Sequence, residues 1–264
     1  MKSLFAGRLS SFTYLNTTQF LAALNDNIYK LLIIYFFIKL EGIEYSHQIL
    51  AITGAIFVLP FLLFSSTSGT LADRFSKRNI IVLTKVLEFI TICLGLLAFI
   101  FESKIGSYFI LFMLATLSAI FGPSKYGILP ELVSSDKISK ANGLMSSFTF
   151  LAIIIGTFAA SFILDISGGN FTIAALLPII LGFIAMVSSF CIEYTPPSGS
   201  SKRFNIRFLN EIFATLKMSR NEPSLLAAIL GSAFFLFLGA FVQLNIIPFA
   251  VQSLNLTEIK GGYL

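Results

Sequence analysis

The sequence contains no tryptophan, one histidine and two cysteines, and only 12% of its 264 residues are charged. Soluble domains carry about 25% charged residues, so the shortage excludes an ordinary soluble fold. Both cysteines, Cys93 and Cys191, lie within apolar runs and have no second pair, so neither a disulfide framework nor a thiolate metal site is predicted. We expect no metal and no cofactor.

Apolar residues are abundant instead: 56% of the chain is hydrophobic and phenylalanine alone supplies 30 residues. Runs of about 20 apolar residues recur, which is the length that crosses a hydrocarbon layer. The composition predicts an all-α polytopic membrane protein. The predicted spans are Thr13–Ile38, Gln48–Ala72, Ile80–Phe101, Ser107–Tyr126, Ala141–Leu164, Phe171–Ile192 and Pro223–Val251, with an eighth beginning near Thr257.

The connections between these spans are short except one. We therefore predict a six-helix bundle over residues 1–192, a linker over 193–222 and the start of a second bundle over 223–264. The linker opens with the breaker run Tyr194–Ser201 and then turns basic. Within it, Phe204–Phe213 has apolar residues at roughly helical spacing, which predicts an amphipathic helix at the membrane interface.

The distribution of the 18 lysines and arginines predicts the orientation. Thirteen lie on the side of the N-terminus, two lie within spans, and only Lys39, Lys104 and Lys260 lie on the opposite side. Short cytosolic loops collect positive charge, so the N-terminus is predicted to be cytosolic. Because the cations are dispersed over loops, the net charge of +5 does not indicate nucleic-acid binding.

A polar stripe interrupts the first span. Ionisable groups in a membrane are candidates for substrate or ion pathways, and Asp26 lies near the predicted midplane. Lys30 follows one helical turn later, so the two charges can share a face. The alternative is that they only neutralise each other while the amides bond to neighbouring helices. We define the polar stripe as Gln19, Asn25, Asp26, Asn27 and Lys30.

Two further features carry charge. Lys85 and Glu88 lie three residues apart in the third span and form either a gate element or a local ion pair, with Lys85 reaching toward the interface. The motif segment, Gly69–Asn79, contains Gly69, Asp73, Arg74, Lys77 and Arg78 between the second and third spans. We expect a tight cytosolic turn in which Gly69 permits close helix approach and Asp73 bonds helix-end amides or a basic partner.

The motif segment resembles the G-x-L-a-D-R-x-G-R-K signature of the major facilitator superfamily, departing where Ser76 replaces a glycine. The strings Q-F-x-x-A-x-N-D-N-x-x-K at Gln19–Lys30, P-x-K-Y-G-I-L-P-E-L at Pro123–Leu132 and A-N-G-L at Ala141–Leu144 resemble the lysophospholipid transporter branch. This resemblance implies twelve helices in two bundles, of which the chain would hold the first bundle and the start of the second, apparently truncated. A faint repeat places Gln243 opposite Asp26.

The resemblance also implies a transporter of lysophosphatidylethanolamine-like lipids in the bacterial inner membrane, supplying an acyltransferase that is fused or separate. We expect alternating access, with the polar stripe lining the headgroup cavity and the motif segment closing a cytosolic gate, with Lys125 as a possible partner. No enzyme activity is predicted, since no acidic residue follows His47 at acyltransferase spacing. The alternatives are an exporter of another amphipathic solute or drug, the membrane part of a bifunctional acyltransferase, or an inactive remnant.

Overall fold

The chain folds into long helices in a computed structural model that describes residues 2–200, 217, 220, 222–254 and 256–261. Two 3₁₀ turns, Ile43–Tyr45 and Ser135–Lys137, lead into the second and sixth helices. Helices α1 to α10 are, in order, Lys2–Glu41, Ser46–Arg74, Lys77–Ile100, Lys104–Gly127, Leu129–Leu132, Ile138–Ile166, Phe171–Ala174, Leu176–Phe190, Pro223–Leu254 and Glu258–Gly261.

Seven segments of the described chain are long and apolar enough to cross a membrane, which confirms the predicted all-α polytopic class. Helices suit this environment because lipid offers no partner to a backbone N–H or C=O group. The sixth span is broken into α7 and α8 at Ala175. Pro178 explains the break, because its nitrogen cannot donate to the carbonyl of Ala174.

Two predictions at the ends of the chain are left open. The predicted eighth span is represented by α10, Glu258–Gly261, and residues 262–264 lie outside the described residues. The predicted interfacial helix at residues 204–213 also lies outside them. The boundaries of the linker and of the second bundle therefore stay predictions.

Helix α1 is the centre of the bundle. It contacts α2, α4, α6 and α8, while α4 packs against α2 and α3, and α3 packs against α8. Of the 18 consecutive residues that make up its most apolar stretch, 83% are buried inside the protein. The same share is 22–44% in the other five spans of the bundle. The polar stripe therefore lies on the most buried span of the bundle.

Glycines leave room for close packing in and around the α1 interfaces. A Cβ atom added to Gly156 on α6 would lie 2.8 Å from the Leu24 carbonyl oxygen of α1. A Cβ atom on Gly182 of α8 would lie 2.9 Å from Ile92 Cδ1 of α3, and one on Gly95 of α3 would overlap the Tyr29 hydroxyl of α1. Small residues at these contacts allow the close helix packing that membrane bundles use.

Helix α9 stands outside this packing. None of its most apolar window is buried, and its phenylalanines Phe234, Phe235 and Phe237 are exposed. It contacts α2, where a 3.1 Å hydrogen bond joins Gln252 to His47 in the first turn of that helix.

Candidate translocation site

Asp26 lies midway along α1 and is directed toward α4. The Ser118 hydroxyl of α4 donates a 2.6 Å hydrogen bond to Asp26 Oδ2. Asp26 and Lys30 are both half-buried, but they form no ion pair within 4.0 Å. Lys30 instead donates to Asn27 Oδ1 at 3.4 Å, and its ammonium lies 5.1 Å from the centre of the Phe57 ring on α2. The two charges thus face neighbouring helices that pack against each other, α4 and α2.

Lys85 and Glu88 form an ion pair in the interior of the bundle. Their side chains are only 1% and 2% exposed, so Lys85 does not reach toward the interface as one sequence interpretation allowed. The Lys85 ammonium lies 4.2 Å from the centre of the Phe121 ring, and Glu88 Oε1 has no hydrogen-bond partner. Both charges interact electrostatically with Asp26.

Lys125 completes the group. Its ammonium lies 5.7 Å from the centre of the Phe121 ring, the same ring that lies 4.2 Å from the Lys85 ammonium, and its charge interacts with those of Lys85 and Asp26. Its partnership with the motif segment around Asp73 stays a prediction. Two sets of charges expected to be separate therefore form one charge cluster. We define the charge cluster as Asp26, Lys30, Lys85, Glu88 and Lys125.

The three amides of the polar stripe have different surroundings. Gln19 is buried and bonds to α6, donating to the Met145 carbonyl at 3.1 Å and accepting from Thr149 at 2.8 Å. Asn27 donates to the Ala23 carbonyl of its own helix at 2.8 Å. Asn25 is buried near Gly182 of α8, and its Oδ1 has no partner. Gln19 thus joins α1 to α6, whereas Asn25 faces α8 with a buried oxygen that has no hydrogen-bond partner among the described residues.

Gln243, which the repeat placed opposite Asp26, lies on α9 and is half-buried. Among the described residues no hydrogen bond joins it to the charge cluster. Its role in a headgroup cavity stays a prediction.

The motif segment is more helical than expected. Helix α2 continues to Arg74 and α3 begins at Lys77, which leaves only Phe75 and Ser76 between them. Ser76 has φ −57°, a conformation that needs no glycine, and its hydroxyl accepts a 3.3 Å hydrogen bond from Asn79 N as the N-cap of α3. The serine that replaces the glycine of the signature therefore caps α3.

Gly69 does not make the expected close approach within the described chain, because a Cβ atom there would meet nothing within 4 Å. Asp73 and Arg74 lie on the last turn of α2, half-buried and exposed respectively, and both interact with other groups.

The cations at the start of α3 have partners that the sequence did not predict. Lys77 Nζ lies 2.6 Å from Glu131 Oε1 and donates to Ser198 Oγ at 2.7 Å. Arg78 donates to the carbonyl oxygens at the end of α8 and just beyond it, Phe190 at 3.0 Å and Ile192 at 3.1 Å. The motif segment is thereby joined to the segment after α4 and to the linker.

The model of the Major Facilitator Superfamily matches residues 15–264, which is nearly the whole chain. The chain belongs to the Major Facilitator Superfamily. Among curated relatives, the lysophospholipid transporter LplT of Photorhabdus laumondii is 31% identical over 75% of this chain and 47% of its own length. The protein of the same name from Citrobacter koseri is 27% identical over 91% of this chain and 58% of its own length. The chain spans about half the length of these relatives.

Solved structures confirm the facilitator fold. A bacterial homologue of the human lysosomal transporter Spinster, in an inward-facing and unoccupied conformation, superposes with a TM-score of 0.70 at 16% identity. The match covers 97% of this chain and 58% of that one. A bacterial homologue of the human peptide transporters PepT1 and PepT2 gives a TM-score of 0.62 at 12% identity over 88% of this chain. This facilitator chain is a multi-pass membrane protein whose relatives are named as transporters.

Several polar residues of the site carried no signal in the sequence. Ser118 and Thr149 look like ordinary small residues of apolar helices, and the packing of α1 brings the side chains of Asp26 and Gln19 to them. Glu131 belongs to the P-E-L string at the end of the fourth span, but the string alone does not indicate its pairing with Lys77.

Proposed function

We propose that the protein is a secondary transporter that moves lysophospholipid, of the lysophosphatidylethanolamine kind, across the bacterial inner membrane by alternating access. The names of the curated relatives support the substrate class. The charge cluster in the middle of the bundle supports a substrate with a charged headgroup.

The presence of charges of both signs in the cluster is the observation that carries the proposal. It holds three lysines and two carboxylates, of which Lys85 and Glu88 form an ion pair with each other. Among the described residues, Asp26, Lys30 and Lys125 form no ion pair within 4.0 Å, and unpaired charges are unfavourable in a low-dielectric interior. The phosphodiester of a lysophospholipid would place a negative charge near Lys30 and Lys125. Its ammonium would pair with Asp26, whose carboxylate is half-buried and accepts a hydrogen bond from Ser118.

The lipid tail needs an apolar path beside the headgroup. The centre of the Phe57 ring lies 5.1 Å from the Lys30 ammonium. The Phe61 ring lies beside it, with 5.8 Å between the ring centres. Phe61 is exposed on α2. These rings offer the glycerol and the acyl chain an apolar surface next to the cluster.

The one-sided distribution of lysine and arginine supports a cytosolic N-terminus, with the motif segment on the same side. In that orientation the transporter would deliver lysophospholipid to the cytosolic leaflet. A lysophospholipid acyltransferase, fused or separate, is the enzyme class that would consume it there.

Uptake of radiolabelled lysophosphatidylethanolamine into proteoliposomes tests the proposal. We expect Asp26→Asn to reduce uptake strongly, because the amide cannot neutralise the substrate ammonium. Asp136→Asn is the matched control, since Asp136 is exposed in the turn before α6. Undiminished uptake by Asp26→Asn would refute the role of Asp26. Uptake inhibited by other amphipathic cations but not by unlabelled lysolipid would favour an exporter of another solute.

A further inference from the structure

We propose that Lys77 and Arg78 fasten the beginning of the linker to the bundle. The linker would then leave the bundle beside the motif segment on its way to α9. We call residues 193–198 the linker strap. This fastening goes beyond the proposed function and does not depend on the substrate.

Lys77 occupies an unfavourable position unless it has partners. It is the first residue of α3, where the helix dipole disfavours a cation, and only 6% of it is exposed. A buried ammonium needs a counter-charge and hydrogen-bond acceptors. Glu131 supplies the charge at 2.6 Å, and the Ser198 hydroxyl of the linker strap accepts at 2.7 Å. Gly127 leaves room for the lysine stem, since a Cβ atom there would lie 3.2 Å from Lys77 Cε.

Arg78 holds the residues immediately before the linker strap. Its guanidinium donates to the carbonyl oxygens of Phe190 and Ile192, which lie where α8 ends and intrahelical donors run out. The next backbone amide, Glu193 N, donates to the Ser11 hydroxyl of α1 at 3.2 Å. Helices α1, α3 and α8 are therefore joined where the linker begins.

The composition of the linker strap favours its docking onto the bundle. Thr195 is only 5% exposed although it lies in no helix. Pro196 and Pro197 restrict the backbone, so little conformational entropy is lost when the strap docks. Gly199 follows with φ +71°, a left-handed conformation that favours glycine, and it marks the end of the strap.

The fastening sets the point from which the linker leaves the bundle. If the two bundles rock against each other, the linker would start next to Lys77 in both the inward-facing and the outward-facing state. Lys77 is then a positioning residue: its loss should lower the maximal rate of transport and leave the KM for lysophosphatidylethanolamine unchanged.

Cysteine labelling tests the strap without any substrate. The parent protein carries Thr195→Cys with Cys93→Ala and Cys191→Ser, and is labelled with a water-soluble maleimide in detergent. We expect slow labelling in the parent and in Lys77→Arg, which keeps the cation. Lys77→Gln should label about tenfold faster or more, because a charge-assisted hydrogen bond is lost. The matched control is Lys140→Gln, which removes an exposed lysine of α6.

Rapid labelling of the parent, or equal rates in the parent and Lys77→Gln, would overturn the proposal. Circular dichroism and gel filtration establish that each variant is folded, and Glu131→Gln provides a second route to loosening Lys77. A labelling difference without any lysolipid uptake by the parent would retain the strap and refute the proposed function. Lysolipid uptake by the parent with no labelling difference would support the proposed function and refute the strap.

Discussion

The Ser118 hydroxyl donates to the Asp26 carboxylate at 2.6 Å and so joins α4 to the middle of α1. The bond fixes one carboxylate oxygen and leaves the half-buried group beside Lys85, Glu88 and Lys125. The orientation of Asp26 therefore depends on a neutral side chain of another helix.

Removing that hydroxyl should impair transport without unfolding the protein. We expect Ser118→Ala to lower the rate of lysolipid uptake at low substrate about tenfold, since a hydrogen bond to a charged group contributes about 1.5–3 kcal/mol. Thr116→Val is the control, because the Thr116 hydroxyl bonds only to the Phe112 carbonyl of its own helix, at 2.8 Å. Equal loss in both variants would indicate a general effect on α4.

A double-mutant cycle on Lys85 and Glu88 can separate an ion pair that only packs from one that serves transport. Either Lys85→Met or Glu88→Leu alone leaves a buried charge without its partner, and we expect each to destabilise the protein by about 3–5 kcal/mol. The pair Lys85→Met with Glu88→Leu should recover most of that stability, measured by thermal unfolding in detergent.

Uptake by the double variant then assigns the role of the pair. If the ions contribute to the charge cluster around Asp26, the double variant will be stable but impaired in lysolipid transport. Stability and transport recovered together would show that the pair serves packing alone.

Gly95 and Tyr29 should behave as a coupled pair. A Cβ atom on Gly95 overlaps the Tyr29 hydroxyl, so we expect Gly95→Ala to destabilise the protein by about 1–3 kcal/mol. Tyr29→Phe should be neutral or stabilising, because this buried hydroxyl has no hydrogen-bond partner, and it should relieve much of the Gly95→Ala defect.

Gly143→Ala is the comparison for that pair, since a Cβ atom on this glycine of α6 would meet nothing within 4 Å. We expect it to be neutral or slightly stabilising, because alanine favours helix. Thermal unfolding of the four variants in detergent provides the measurement. A Gly95→Ala protein as stable as Gly143→Ala would contradict the contact between Gly95 and the Tyr29 side chain.

The spans could be predicted because their cause is local. A run of about 20 apolar residues must cross lipid as a helix whatever surrounds it. The break at Ala175 was missed because Pro178 lies near the beginning of an apolar run, where a proline can be accommodated in an uninterrupted helix or can end a short one.

The site was predicted in part, for a different physical reason. Asp26, Lys85 and Glu88 are conspicuous because charge is rare in lipid, so the sequence identifies them one by one. Their assembly into one cluster depends on the rotation of α1 against α3 and α4, and helical spacing within one span cannot give that. The same applies to Lys125, which was predicted as a partner of the motif segment and whose ammonium lies near the same Phe121 ring as that of Lys85.

The burial of α1 has a consequence for how the protein is made. Helix α1, the most buried of the seven spans, carries Asp26 and Lys30. It is also the first of the seven to be synthesised. A charged residue at the centre of a helix is disfavoured during membrane insertion, and Ser118 and Lys85, which later surround Asp26, are synthesised only with the third and fourth spans. We therefore expect stable insertion of α1 to depend on these later helices, so that defects in their packing appear as poor membrane insertion of the nascent chain.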